Sequence, residues 1–210
     1  MAAADTRARD RTATAGVIIA AAKAVLAEDG FQSFGVNAIA RRAGCDKQLI
    51  YRYFGGLDGL AEAIGADLAR DLTEELKAVT NDAPPKTYAE LMQRLALGLL
   101  ELLRGNRLMQ QINAWEAAAP SPRVQKMSVA RARRMMQWMM EMRGDLAPPV
   151  GVDAPAMNAI IIAAVQQLVV SGAANGAFSG LPLRTDADWD RLRAALAALV
   201  QCAYSEAARA

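Results

Sequence analysis

Apolar residues recur at intervals of three and four along nearly the whole chain, and no segment alternates with the period of two that a half-buried strand requires. The pattern predicts an all-α protein. A first helix is expected over Thr12 to Glu28, with Val17, Ile18, Ala21, Ala22, Val25 and Leu26 as its apolar face and Gly30 as its stop. Val36, Ile39, Ala40 and Ala43 follow the i, i+3, i+4, i+7 rule for a short second helix, and Gly44 suits the left-handed position that closes it. Asp46 can accept the open amides of a third helix, Lys47 to Phe54, with Ile50 and Phe54 turned inward. Gly55 and Gly56 end that helix, and a fourth runs from about Leu57 to Val79.

Adjacent prolines in Asn81 to Lys86 cannot continue a helix, so this segment is the expected domain boundary. Beyond it, helices are expected near Thr87 to Arg104, Arg107 to Ala118, Pro122 to Arg143, Ala154 to Ala174 and Asp186 to Ala208, about nine in all. The expected organisation is a three-helix domain over residues 1–56, a connecting helix over 57–80, and a larger helical domain over 81–210.

The chain has 210 residues, 53% hydrophobic and 22% charged, with a net charge of +2. The location of charge is more telling than its sum. Arg41, Arg42, Lys47 and Arg52 stand against Asp46 between Ala38 and Gly56, a local excess of +3, while residues 61–210 hold 16 basic and 16 acidic side chains. An anionic partner is therefore sought in the first quarter of the chain. Arg7, Arg9 and Arg11 read as a disordered basic arm ahead of the first helix.

Histidine is absent, which removes His-based acid–base catalysis and the Ser-His-Asp arrangement, and no GxSxG, P-loop or GxGxxG motif is present. An enzyme is not expected, nor a metal or cofactor. Cys45 and Cys202 lie far apart without metal-type spacing and read as reduced thiols. The N-terminus lacks a signal-peptide pattern, and Ala159 to Val170 is too short to span a bilayer, so a soluble intracellular protein is expected.

Two short helices joined by a glycine-containing turn make a helix-turn-helix, whose second helix can enter the DNA major groove. Lys47 and Arg52 can donate to guanine edges or phosphates, and Gln48 can pair with adenine. Tyr51 and Tyr53 can donate hydroxyls to phosphate oxygens.

The stretch "GFQSFGVNAIARRAGCDKQLIYRYFGGLDGLAEAI" resembles the N-terminal signature of the tetracycline-repressor (TetR) family of bacterial transcription regulators, over roughly residues 12 to 68. The resemblance rests on Gly30-Phe31, "VNAIARRAG", the capped "LIYRYF" block and the small-residue turn leading to Leu60. It implies that Lys47, Gln48, Tyr51, Arg52 and Tyr53 lie on the recognition helix, and that Asn37 faces DNA from the second helix. It also implies a homodimer, a double-stranded DNA operator, a small-molecule effector and a cytoplasmic, nucleoid-associated location. Three features depart from the pattern. No Ser or Thr caps the second helix near Phe34 and Gly35, Leu57 stands where a phosphate-contacting lysine is usual, and Gly16 interrupts the first helix.

In the C-terminal domain "MSVARARRMMQWMMEMR" holds six methionines and Trp138. Val124, Met127, Arg131, Met135, Trp138 and Met142 form one stripe, which either fills an irregular core or lines a pocket. As a pocket, joined by Met139, Trp115, Leu95 and Leu99, it would take an apolar or aromatic effector, anionic if Arg131 meets it directly. Arg131 could instead pair with Glu116. The last two helices, carrying Ile161, Val165, Leu192, Leu196 and Leu199, suit a four-helix bundle shared by two chains. The reading is a ligand-released, DNA-binding repressor. The alternative is a helical small-molecule-binding or scaffold protein that has lost DNA binding.

Overall fold

In the computed structural model, residues 2–80, 84–119 and 121–205 are described. Nine α-helices account for most of these residues: α1 Ala2–Asp29, α2 Val36–Ala43, α3 Lys47–Phe54, α4 Leu57–Thr80, α5 Tyr88–Gly105, α6 Arg107–Ala118, α7 Pro122–Arg143, α8 Ala154–Asn175 and α9 Asp186–Tyr204. The fold is all-α, as the periodicity implies.

Helix starts follow local capping chemistry. Thr87 caps α5 by accepting from the Glu90 amide, Ser121 accepts from Val124 ahead of α7, and Asp153 accepts from Ala156 ahead of α8. Thr185 and Asp188 form a reciprocal capping box at α9. Gly35 caps α2 with no side-chain hydrogen bond, as the missing Ser or Thr implies.

Several expectations are corrected. The backbone from Ala2 onward joins α1, where a disordered arm was expected; the side chains of Arg7 and Arg9 lie outside the described residues. Val17 is 53% exposed rather than buried, and Phe54 is only half-buried, while Ile18, Ala22, Val25 and Leu26 do form the inner face of α1. The α9 helix ends at Tyr204, and residues 206–210 lie outside the described set, as do Asn81, Asp82 and Ala83 of the expected boundary. A small antiparallel hairpin, β1 Ala177–Phe178 with β2 Leu181–Pro182, leads into α9. Its two turn residues, Ser179 and Gly180, both have positive φ, which is what a tight two-residue hairpin requires.

The chain forms two compact units that are not continuous in sequence. The first comprises residues 1–71 and 114–135, the second 72–113 and 136–210. In the first, Ile18, Leu26, Ile39, Ile50, Leu60 and Ile64 are fully buried. In the second, α5 packs against α8 and α9. There Tyr204 donates to Asn158, Asn158 donates to Tyr88, and the two tyrosine rings meet edge-on at 5.1 Å. Burial, with Tyr88 beside it, pushes the Tyr204 phenol well above its ordinary range. Contrary to expectation, α8 is long and apolar enough to cross a membrane by length and composition alone. Its Ile161, Val165 and Val169 are nevertheless buried within the protein.

Gly16 stands in mid-helix, and a Cβ built there meets nothing within 4 Å. Gly16→Ala is therefore expected to stabilise the protein by about 0.5–1 kcal/mol through reduced backbone entropy in the unfolded chain, measured by urea denaturation. An unchanged midpoint would mean that α1 is frayed at that turn.

Candidate nucleic-acid interface

The second helix of the pair, α3, begins and ends within sharply defined turns. Gly44 takes a left-handed conformation (φ 64°) and its amide bonds back to the end of α2, while Cys45 N donates to Ala40 O at 3.1 Å. Asp46 then extends the chain and accepts from Gln48 N at 2.7 Å. At the far end Gly55 (φ 71°) donates to Tyr51 O at 2.8 Å. Ile50 is fully buried and fixes the rotation of the helix. That rotation leaves Lys47, Gln48, Tyr51 and Arg52 exposed together, with Asn37 exposed on α2. Tyr53 is half-buried, and two guanidinium groups lie over its ring, Arg52 at 5.4 Å and Arg11 at 5.7 Å. Cation–π contacts of this kind orient both arginines at a cost the ring quadrupole offsets.

The local charge is smaller than the sequence count implies. Arg42 is engaged in a bidentate pair with Glu28 of α1, and Arg42 holds the Glu28 carboxyl below its ordinary range. Arg41, Lys47 and Arg52 form no ion pair among the described residues, and all three are exposed cations. A pairing across 14 positions between two helices leaves no local trace in sequence.

Behind α3, the α4 helix is held on three sides. A Cβ at Gly59 would lie 1.9 Å from the Phe54 carbonyl oxygen, so only glycine lets α4 start so close to the end of α3. A Cβ at Gly65 would lie 2.1 Å from the Met127 carbonyl oxygen on α7, a second backbone-to-backbone approach. Asp58 accepts from Arg123 and Lys126 of α7, each at 3.0 Å. On the opposite side Lys23 of α1 donates to Asp67 at 3.0 Å and to Asp71 at 2.5 Å, with Arg70 pairing with both carboxylates. The Phe31 ring packs on Trp115 of α6 at 6.0 Å.

The remaining expected residues separate by unit. In the first unit Trp115 is spent on Phe31, Met135 is half-buried, and Arg131 is buried (8% exposed) and paired with Glu116 at 2.7 Å. In the second, Leu95 and Trp138 are buried and Leu99 and Met139 half-buried. Val124, Met127 and Trp138 of the methionine stripe are core residues, and the exposed methionines are Met136 and Met140. Ile161 and Val165 are turned into the chain's own interior because α5 packs on α8, Leu192 and Leu196 are half-buried, and Leu199 is 53% exposed. The sequence reading missed the Asp58 contacts and an open cleft of about 480 Å³ at the α6–α7 corner, lined by Glu116 and the first turns of α7.

Residues 18–64, spanning α1 to α4, match the family model described as bacterial regulatory proteins, tetR family. This segment is a tetR-family domain. The whole chain shares its fold with FadR of Bacillus subtilis, solved in complex with stearoyl-CoA, at a TM-score of 0.65 and 17% identity over 90% of this chain and 98% of that one. FadR of Bacillus halodurans, a fatty acid degradation regulator, aligns at 0.61 and 16% over 90% and 94%. A TetR-family transcription regulator from Marinobacter aquaeolei aligns at 0.60 and 18% over 94% and 97%. No curated protein matches the chain. The tetR family is one of regulators, and the α2–turn–α3 geometry is its helix-turn-helix.

The α1–α4 tie has a pH signature. Burial pushes the Asp71 carboxyl up, but the Lys23 and Arg70 hydrogen bonds and charges outweigh it and hold it below its ordinary range. A depressed folded-state pKa stabilises above the unfolded value and loses that contribution as pH falls through the folded value. Asp71→Asn should thus be less stable than wild type at neutral pH, with the gap closing below about pH 4. Thermal melts from pH 7 to pH 3 test this; a gap that stays constant would remove Asp71 from the tie.

Proposed function

We propose that the protein is a ligand-responsive transcriptional repressor that binds a pseudo-palindromic DNA operator as a homodimer in the bacterial cytoplasm. The observation that carries this reading is the exposed set Lys47, Gln48, Tyr51 and Arg52 on a helix whose start, end and rotation are all fixed. In a major groove, Arg52 and Gln48 read base edges, while Lys47, Tyr51 and Tyr53 hold phosphates and Asn37 contacts DNA from α2. With Leu57 in place of a lysine, the α4 N-terminus offers only its backbone amides to a phosphate.

Dimerisation follows from the surface left open on the last two long helices. Ala156, Ala159, Ile160, Ala163 and Ala164 make an exposed, small and apolar stripe on α8, and Ala194, Ala195, Ala198 and Leu199 make another on α9. Small residues let two helix pairs approach closely, giving a four-helix seam. Two recognition helices then sit about one helical turn of DNA apart. The effector is an apolar or aromatic molecule taken up among the C-terminal helices, and it favours release by binding the DNA-incompetent arrangement more tightly. FadR of Bacillus subtilis, of similar fold, holds an acyl-CoA, which is apolar with an anionic head.

Selection of bound fragments from a random DNA pool, followed by affinity measurements against salt, tests the reading. A repeated inverted half-site and a steep fall of affinity with salt are expected, since only phosphate neutralisation gives that slope. A helical protein that has lost DNA binding would show neither. Arg52→Ala should cost about 1–3 kcal/mol on the selected operator and relax preference at one position per half-site. Equal loss on every sequence would make Arg52 a phosphate contact instead. For the seam, Ile160→Arg changes a residue that is 62% exposed, so the chain should fold as a monomer with weakened operator binding. Sedimentation showing an intact dimer would place the interface elsewhere.

A further inference from the structure

Arg11 continues the inner face of α1 beyond the core. Arg11, Thr14, Ala15 and Ile18 are spaced by three and four, so they share one side of the helix. Ile18 is fully buried, Thr14 and Ala15 are half-buried, and Arg11 is exposed. The packed face of α1 thus emerges into solvent at Arg11, and there it meets the end of α3. The Arg11 guanidinium stands 5.7 Å from the centroid of the Tyr53 ring, and Arg52 stands over the same ring at 5.4 Å.

An exposed arginine ordinarily samples many rotamers, and contact with a neighbouring ring removes part of that freedom before any partner arrives. Neither Arg11 nor Arg52 forms an ion pair among the described residues. Two like charges gathered over one ring repel each other, and no described carboxylate offsets the repulsion. The cluster lacks an anion. It stands beside the exposed face of α3, where other cations are few: Arg42 is tied to Glu28, and Leu57 occupies the first position of α4.

We propose that Arg11 is a DNA-backbone contact supplied by α1, held by the Tyr53 ring so that it meets a phosphate flanking the base that Arg52 reads. Tyr53 is its positioning residue and acts through the ring rather than the hydroxyl. A guanidinium takes a phosphate with paired N–H donors, and phosphates carry no sequence information. Arg11 therefore adds affinity and fixes register without adding base preference. A disordered arm would lose its freedom on docking, whereas Arg11 already sits on a helix and against a ring, so less entropy is lost when the phosphate arrives.

The assignment rests on the repressor reading above. Its signature is electrostatic, because each phosphate neutralised by a cation releases counterions and steepens the dependence of affinity on salt. A cation that only covers the Tyr53 ring would leave that dependence unchanged.

The test measures binding of the full-length protein to the selected operator and to an unrelated duplex over a range of salt concentrations. Arg11→Ala, at an exposed helix position, is expected to lower affinity by the same factor on both duplexes. It should also reduce the slope of log affinity against log salt by about 0.9 for each half-site. Tyr53→Leu should reduce the slope likewise, and the double variant should lose no more slope than Arg11→Ala alone, since both act through one contact. Tyr53→Phe keeps the ring and should keep the slope, any loss of affinity measuring the hydroxyl alone. Melting temperatures report whether each variant is folded, and Tyr53→Met replaces Tyr53→Leu if the latter is not. An unchanged slope in Arg11→Ala would overturn the proposal, as would a loss confined to one base position, which would make Arg11 a base contact. A wild-type slope in Tyr53→Leu, or a reduced one in Tyr53→Phe, would overturn the role of the ring. Wild-type protein that binds neither duplex would sink the repressor reading and this assignment together, whereas operator binding indifferent to Arg11 would sink the assignment alone.

Discussion

At Gly65 the backbone of α4 lies so close to the Met127 carbonyl of α7 that a single methyl group would overlap it. Much of the first unit follows from that contact. A steric limit between two backbones is neither screened by salt nor relieved by a rotamer change, unlike the surrounding ion pairs. It sets the height at which α7 rests on α4, and from there Arg123 and Lys126 reach Asp58 one to two turns earlier. The second approach, Gly59 on the Phe54 carbonyl, passes the position of α4 directly to the end of α3. Lys23 grips the far side through Asp67 and Asp71, so α4 has little freedom to tilt without breaking charged contacts.

The same local contacts fix the short α3 helix in place. The α3 helix has only two turns and could not persist alone. Its shape is imposed by Asp46 at one end, Gly55 at the other and Ile50 beneath. The Tyr53 ring, with Arg11 and Arg52 both over it, limits where the two guanidinium groups can wander. Under the proposed repressor function, rigid placement lowers the entropy lost on docking DNA, which partly offsets the modest charge left once Arg42 is committed to Glu28.

The legible part of the fold is the local part. Helices α2, α3, α6 and α7 have the bounds that caps, glycines and prolines specify, because those signals act within a turn of where they stand. The start of α1 was not legible, since alanine and arginine favour helix and disordered arm alike in a polar segment. Ile161 and Val165 show a different limit. Periodicity marks a helix as apolar all round without telling which side meets its own chain and which meets another. Arg131 was readable as a partner for Glu116 because the alternatives for a buried guanidinium are few. The contacts of Asp58 span more than 60 positions, and the closeness at Gly65 depends on how two helices cross. Neither has a signature along the chain.

A buried ion pair is a poor source of stability, because desolvation consumes most of its Coulombic gain and a well-packed apolar pair would serve as well. Glu116 and Arg131 therefore have no sufficient explanation in stability, and less still with one donor and one acceptor left open. They sit on α6 and α7 in the unit that carries the helix-turn-helix, where Trp115, adjacent to Glu116, packs on Phe31. The α7 turn before Arg131 carries the Met127 carbonyl that limits α4. One helix thus carries a fixed steric contact at Met127 and, one turn on, a polar pair with a donor and an acceptor left open. The two contacts differ in kind: the glycine approach sets a position that no rotamer change relieves, and the half-satisfied salt bridge adds little to holding it.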